Sequence, residues 1–459
     1  MVHTQSLPIE LLDLIVSFVR PDDELPSRDR RMKDDIETLR NVCLVSRKFY
    51  ALGQPLLFRV LFYDGSHDYR MFTRTICRRP DLAKHVHQIC ILPTLSFGTH
   101  LLDAEDLELS KGIIEDLQLG DQEDTWISSI EGADLGLFTA LVASKAPNLR
   151  WLHLPVSQFW IQPFIQLFRH NPEFLSNLES IWIESDEEYC NTEMYSRMNI
   201  ASYEKFLTLP KVKSSTFEYG VLCDAYLRPF PSSWLPGTLE TERLAFHHCQ
   251  VDPFALEKLM QACKKLKAFT YNNFSLHPNN RRNRAEKLPE FNAKQAYEAV
   301  LLHKDTLELF HLEYGTKPPH IDIFEQVLSG RVQVGSFRDF SVLETIVITH
   351  AFLPPHPEFP SSLKTLHIMN CKASVWELTQ SIAKDCENGL YPELTDVSVF
   401  ATDITKPAKL QGKPLQQCLL DLEEMFKGTK VNFQISPYEI PYSDDYDNLD
   451  LYRSYTAQE

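Results

Sequence analysis

The chain has 459 residues, enough for several hundred residues of core or for an array of repeats. Its 63 acidic residues outnumber its 46 basic ones, for a formal net charge of −17. That balance argues against generic nucleic-acid binding, which rests on neutralising phosphates.

Residues 1–20 carry Asp and Glu, lack a basic start and show no small-residue cleavage site, so no secretory leader is expected. No uninterrupted run of about twenty apolar residues is present, so no membrane span is expected. The ten cysteines, at 43, 77, 90, 190, 223, 249, 263, 371, 386 and 418, form no C-x-x-C pair. They read as reduced, buried thiols of a cytoplasmic or nuclear protein, because a chain this long needs no disulfide staples.

The first predicted element is the helix beginning at Leu7-Pro8-Ile9-Glu10. Pro8 suits the first helical position, which makes Leu7 the cap. Leu7 is a poor cap chemically, so its side chain is expected to pack. Ile9, Leu12, Ile15, Val16 and Val19 give one apolar face, and Leu11, Leu14 and Phe18 a second. A charged stretch, Pro21 to Asp35, separates this from a second apolar helix pattern of Leu39, Val42, Cys43, Val45, Phe49 and Leu52. A helical unit of about sixty residues cannot bury that much apolar surface alone. One face therefore needs a partner.

These motifs resemble an F-box. The residues that carry the likeness are Leu-Pro-x-Glu-Leu-Leu-x-x-Ile-Val-Ser-Phe-Val, then Leu-x-x-Val-Cys-x-Val-Ser-Arg-x-Phe, then Gln54-Pro55-Leu56-Leu57-Phe58-Arg59. The resemblance covers about sixty residues, with Phe49 where the family usually has Trp and the charged stretch as an insertion. It implies a three-helix unit that docks on the Skp-type adaptor of a cullin-RING ubiquitin ligase. By position, Leu7, Pro8, Leu11, Leu12, Ile15, Val42, Val45 and Phe49 match the apolar positions shared between adaptor contact and the box's own core.

Beyond the box, apolar residues recur at spacings of 0, +3 and +5. The first set is Leu57, Val60 and Phe62, then Val86, Ile89 and Ile91, then Leu149, Leu152 and Leu154, then Leu178, Ile181 and Ile183. Weaker copies end at Phe217 and Tyr219, and at Leu244 and Phe246; clear ones run from Leu266 to Val399. Helical stretches lie between them, from Tyr69 to Cys77, Leu135 to Lys145, Pro163 to His170, Tyr203 to Leu209, Pro253 to Cys263, Ala293 to His303, Ile321 to Leu328, Val375 to Lys384 and Leu415 to Phe426. Strand alternating with helix at this period means stacked units, since each is too small to bury its own apolar face.

The strand pattern resembles a degenerate leucine-rich repeat. The position after the strand, usually Asn or Cys in that family, holds Cys249 and Cys371 but elsewhere Ser157, Asp186 and Ala351. The expected fold class is thus α/β: a three-helix F-box at 1–56, an irregular solenoid of parallel strands and helices at 57–435, and an acidic tail at 436–459. The competing architecture is a doubly wound sheet, disfavoured by the absence of a glycine-rich strand-to-helix turn and by only 15 glycines. Leu101 to Glu131 reads as a solvated acidic insertion, and the loop with Arg281, Arg282 and Arg284 as a solvated basic one.

No nucleotide-binding, zinc-protease or serine-hydrolase motif is present, so no enzymatic activity and no cofactor are expected. His247, His248, Cys249 and Cys263 are the nearest approach to a metal set, but adjacent histidines on a strand point to opposite faces. If 0, +3 and +5 point inward, then +1, +2 and +4 line an open sheet face, which brings up Trp151, His153, Trp182, Arg243, His311, His367 and Phe400. Trp151 and Trp182, with Arg150, His153 and Glu184 beside them, form the candidate substrate patch. The resemblance implies a substrate-recognition subunit of an SCF-type ligase, with an unknown protein target as second partner; the charge balance and hydropathy already argue against nucleic-acid and membrane partners. The alternative is a repeat scaffold for protein–protein interaction that uses the N-terminal helices only as a cap.

Overall fold

The structure, a computed structural model, describes residues 7–19, 30–63, 68–91, 102–131, 135–155, 158–185, 200–222, 234–275, 292–316, 333–371, 375–401 and 415–437. The chain forms two compact units, the first built mainly from Met1–Asp186 and the second mainly from Lys213–Ile440.

The first unit opens with three helices, α1 (Ile9–Ser17), α2 (Arg30–Val45) and α3 (Arg47–Leu57). The Pro8 carbonyl accepts from the Leu11 and Leu12 amides at 3.2 Å each, so Pro8 is the cap and α1 starts one residue later than the sequence pattern implies. Leu7 then precedes the cap, where a hydrophobic staple sits, and it packs against the cluster of Leu12, Val16, Leu39 and Phe49. Ser46 caps α3, its hydroxyl accepting from the Phe49 amide at 3.3 Å, which seats Phe49 in the same cluster. Gly53 lets α2 and α3 close on each other: a Cβ there would lie 2.7 Å from Cys43 Sγ. Arg30 to Asp35, read from sequence as part of an insertion, form the start of α2; residues 21–29 lie outside the described residues.

Four strands follow in this unit: β1 (Val60–Tyr63), β2 (Gln88–Ile91), β3 (Trp151–Pro155) and β4 (Ser180–Glu184). They pair in parallel and in chain order. Leu61, Ile89, Leu152 and Ile181 share one register position and are all buried. The sequence pattern thus slipped by one residue in the first repeat. There Phe58, Leu61 and Tyr63 hold the 0, +3 and +5 positions, while Val60 and Phe62 align with Gln88 and Cys90 on the opposite face. A one-residue slip exchanges the faces of a strand.

The acidic stretch is not a solvated loop. It folds as α6 (Ala104–Leu117) and α7 (Glu123–Glu131), which follow α4 (Asp68–Arg78) and α5 (Pro80–Ala83). Ile113, Ile114, Trp126 and Ile130 are buried, and Trp126 Nε1 donates to Gln166 Oε1 at 2.5 Å. Asp103 and Asp106 form a capping box at the start of α6. Arg74 of α4 then holds the start of α6. Its Nε donates to the buried Asp106 at 2.6 Å, one Nη to Glu105 at 2.7 Å and the other to Asp103. Helices α8 (Leu135–Ser144) and α9 (Gln158–His170) flank β3 in sequence.

The second unit begins with a 3-10 turn, Ile200–Tyr203, and α10 (Glu204–Leu207). Its main strands are β5 (Ser214–Glu218), β7 (Arg243–His247), β9 (Ala268–Ser275), β10 (Leu309–Thr316), β11 (Thr345–Thr349), β12 (Thr365–Cys371), β13 (Asp396–Ala401) and β14 (Asn432–Pro437). All are parallel and sequential, while the two-residue strands β6 (Val221–Leu222) and β8 (Gln250–Val251) pair separately. Neither unit reverses its strand order, which removes the doubly wound alternative for each. Helices α11 (Pro253–Ala262), α12 (Ala293–Val300), α13 (Val375–Glu387) and α14 (Leu415–Phe426) match four of the sequence expectations. The helix expected from Ile321 to Leu328, the Arg281 to Arg284 loop and nearly all of the acidic tail lie outside the described residues.

The inward rows carry most of the packing. Phe217 stacks on Phe246, with ring centroids 5.6 Å apart, and Phe269 on Phe310 at 6.1 Å. Each buried ring contributes about 1.5–3 kcal/mol relative to exposure. A backbone device recurs from strand to strand. The carbonyl of the residue before one strand accepts from two successive amides at the start of the next. Lys213 O receives Glu242 and Arg243, Glu242 O receives Lys267 and Ala268, and Lys267 O receives Glu308 and Leu309. His87 and Arg150 do the same in the first unit. Two cysteines add side-chain bonds at strand ends: Cys249 Sγ donates to Phe217 O and Cys371 Sγ to Ile368 O, both at 3.2 Å.

Candidate functional site

Two surfaces answer to the sequence reading. The first is on the N-terminal helices. Spacing by three and four turns Leu12 and Val16 of α1 inward, with Leu12 only 1% exposed. Ile9, Leu11, Leu14, Ile15 and Phe18 are left outside, Phe18 at 81%. At the end of α2, Leu44 is 83% exposed and Val45 is exposed as well. Of the eight residues matched to the adaptor-binding pattern, Pro8, Leu11, Ile15 and Val45 face outward. Leu12 and Phe49 belong to the helical unit's own core, and Leu7 and Val42 pack against it. Those four support the surface from beneath. Ile9 and Ile15, grouped by sequence on one face with Leu12 and Val16, are exposed.

The second surface is the sheet face of β2, β3 and β4 away from the inward leucines. Parallel register aligns Gln88, Trp151 and Ser180 in one row and Cys90, His153 and Trp182 in the next. Glu184 stands one step further along β4, opposite Pro155. Trp151 and Trp182 meet edge-to-face, ring centroids 6.4 Å apart, and are partly exposed. The His153 ring lies between them at 5.8 and 5.7 Å. Arg150 is exposed and 3.8 Å from Glu179.

His153 and Glu184, expected on an open surface, are each only 1% exposed. The position of His153 at +4 follows the sequence rule and Glu184 stands at +6, outside it; the burial of both departs from an open surface. His153 Nε2 is 2.8 Å from Glu184 Oε2, an ion-pair distance for a protonated imidazole, and its Nδ1 is 3.3 Å from Cys90 Sγ. Cys90, outside the candidate patch drawn from the sequence, occupies the +4 position of its repeat, as His153 and Trp182 do in theirs.

The matching face of the second unit repeats this chemistry. His311 Nε2 lies 3.1 Å from Glu313 Oε2, and His247 Nδ1 lies 2.9 Å from Asn272 Oδ1. His367 stacks on Phe400, with centroids 6.0 Å apart. Burial holds the imidazoles of His247 and His367 down to about 4, with the nearby His311 acting in the same direction on both. Arg243 is exposed at the start of β7. His311, His367 and Phe400 are buried, so they do not form an open surface.

No described group of three or more His, Cys, Asp and Glu side chains is arranged to hold a metal ion. His248 stacks on Tyr219 at 4.7 Å and Cys249 bonds a carbonyl, which accounts for two members of the sequence's nearest metal set. Among the described residues no helix is long and apolar enough to cross a membrane. The sequence matches no protein-family model and no curated protein.

Proposed function

We propose that this chain is a substrate-recruiting subunit of an SCF-type cullin-RING ubiquitin ligase. In this reading α1 to α3 form an F-box that grips a Skp-type adaptor, and the repeats, a leucine-rich-type solenoid, hold the target protein. The observation that carries the proposal is the two-sided α1. One face, Leu12 and Val16, packs within the helical unit; Ile9, Leu11, Leu14, Ile15 and Phe18 remain exposed, as do Leu44 and Val45 of α2. Apolar side chains gathered on the outer faces of such short helices mark a protein–protein contact. The chain contributes no acid, base or nucleophile to ubiquitin transfer; it holds the target near the transferring enzyme.

The test is co-purification with a Skp-type adaptor, wild type beside Ile15→Asp combined with Val45→Asp. Both positions are exposed, so the variant keeps its helical core. Capture of the wild type and loss of the variant would support the proposal. Failure of the folded wild type to bind any Skp-type adaptor would overturn it in favour of the repeat scaffold.

A further inference from the structure

Few of the described side chains on the tryptophan-bearing face of β1 to β4 reach solvent. Gln88, Cys90, His153 and Glu184 are each 2% exposed or less. Trp151, Trp182 and Ser180 are partly exposed, as is Phe62, which aligns with Cys90. The accessible surface is therefore aromatic rings and a hydroxyl. Its charges are matched in pairs. His153 and Glu184 lie 2.8 Å apart out of solvent, and Arg150 lies 3.8 Å from Glu179 just before the strands. The backbone offers a ligand nothing on this face, because parallel strands direct their N–H and C=O groups at one another.

A peptide laid across such a surface gives up water from its main chain. Indoles donate hydrogen bonds and never accept them. With the carboxylate and imidazole covered, the peptide's N–H groups meet aromatic faces and the Ser180 hydroxyl, and each N–H left unpaired is costly. We propose that this face binds a proline-rich segment of the target in the polyproline II conformation. The proposal rests on the reading of the repeats as the part that holds a protein target. Proline has no N–H to strand, and its ring holds φ close to the polyproline II value before binding. Aromatic-lined surfaces take such segments because little conformational entropy is left to lose. The tryptophans match this on the protein side, since each indole is fixed edge-to-face against the other. Four strands at about 4.8 Å per step span about 14 Å. About five residues at about 3.1 Å each cover that span.

The test titrates the full chain with a fluorescein-labelled polyproline peptide about ten residues long and follows anisotropy. A Gly-Ser peptide of equal length, with an N–H at every position, is the control. Two further peptides carry Arg or Glu at alternate positions. Polyproline is expected to bind at least about tenfold more tightly than the Gly-Ser peptide and no more weakly than either charged one. Raising the salt from about 0.05 to about 0.5 M should change its Kd less than about twofold, because the charges beside the patch are paired. Trp182→Ala and Trp151→Ala, checked for folding by circular dichroism, should each weaken binding at least about tenfold. No polyproline binding up to about 1 mM, equal affinity for the Gly-Ser peptide, tighter binding of a charged peptide, or full affinity in folded Trp182→Ala would overturn the proposal. Should the variants fail to fold, the comparison of peptides on the wild type decides alone. The assay needs no adaptor. Polyproline binding without adaptor capture would support this inference and overturn the ligase reading; adaptor capture without polyproline binding would do the reverse.

Discussion

Arg74→Ala tests whether the acidic stretch is an integral part of the first unit. Arg74 bonds Asp103, Glu105 and Asp106 together, and Asp106 is fully buried. Asp106 is the most important of these partners: its hydrogen bond is the largest cause of the raised Arg74 pKa. Deleting one partner of a buried ion pair costs about 3–5 kcal/mol, because the remaining charge is stranded. Arg70 lies 3.6 Å from the same carboxylate and offsets part of that, so the low end, about 3 kcal/mol, is expected. Asp106→Asn removes the charge while retaining a capping acceptor, and about 1–2 kcal/mol is expected. Limited proteolysis and amide hydrogen exchange over α6 and α7 read the effect locally, which matters for a chain of two units. If α6 and α7 of the wild type exchange as fast as a loop, or if Arg74→Ala leaves their protection unchanged, the assignment of this stretch to the folded core is wrong.

Three further outcomes are expected. Leu12→Ala should cost the helical unit about 3 kcal/mol, and Ile15→Ala no more than about 0.5 kcal/mol, because only Leu12 is enclosed. Hydrogen exchange in α1 to α3 checks this, and equal losses would contradict the inner and outer faces. Gly53→Ala should loosen the contact of α2 with α3 by about 1–2 kcal/mol, since the new methyl meets Cys43 Sγ; an unchanged exchange rate would mean the thiol turns aside freely. His247 and His367 are held at about 4 when folded, against an ordinary 6.5, so the unfolded chain binds protons the folded one refuses. Their contribution is whole above about pH 6.5 and is lost as the pH falls towards 4, by up to about 3 kcal/mol each and less for the partly exposed His247. Urea midpoints at pH 7.5 and 4.5 should therefore differ less in His247→Asn with His367→Asn than in the wild type. Equal differences would refute the assignment.

What the sequence made legible was whatever burial enforces locally. The 0, +3 and +5 rows from Leu149 to Val399 are inward because each strand has one face that must leave water. The reading weakened where an inward place holds a polar residue, as at Ser215 and Thr241, both buried. It slipped by one in the first repeat because Leu57, Phe58, Val60, Leu61, Phe62 and Tyr63 allow two registers, and by two in the weak copy at Phe217 and Tyr219, where Phe217 pairs with Phe246 and Ser215 with Leu244. The acidic stretch reads as solvated because its ten carboxylates outweigh Ile113, Ile114, Trp126 and Ile130, and because Arg74 reaches its partners across 29 to 32 residues of chain. Spacing placed Trp151 beside Trp182, since Leu149 and Leu178 start equivalent strands. It could not reveal that His153 and Glu184 are covered. A second polar row, at +6, was also readable: Glu184, Glu218, His247, Asn272, Glu313 and Thr349 all hold that place.

This burial divides the labour within the candidate patch. A buried His–Glu pair gives a ligand little, because any contact that draws Glu184 away from His153 strands a charge at a cost of about 3–5 kcal/mol. The indoles carry no such penalty. They are partly exposed, rigid, and already fixed edge-to-face by their neighbours, which is how a binding anchor loses least entropy on contact. Trp182→Ala should therefore weaken target capture by about 2 kcal/mol or more while leaving the thermal midpoint nearly unchanged. Glu184→Ala should lower the midpoint first and weaken capture only as a consequence. Capture and melting measured on both variants separate the two roles. If Glu184→Ala weakened capture with no loss of stability, the carboxylate would be a direct ligand contact and the indoles its frame.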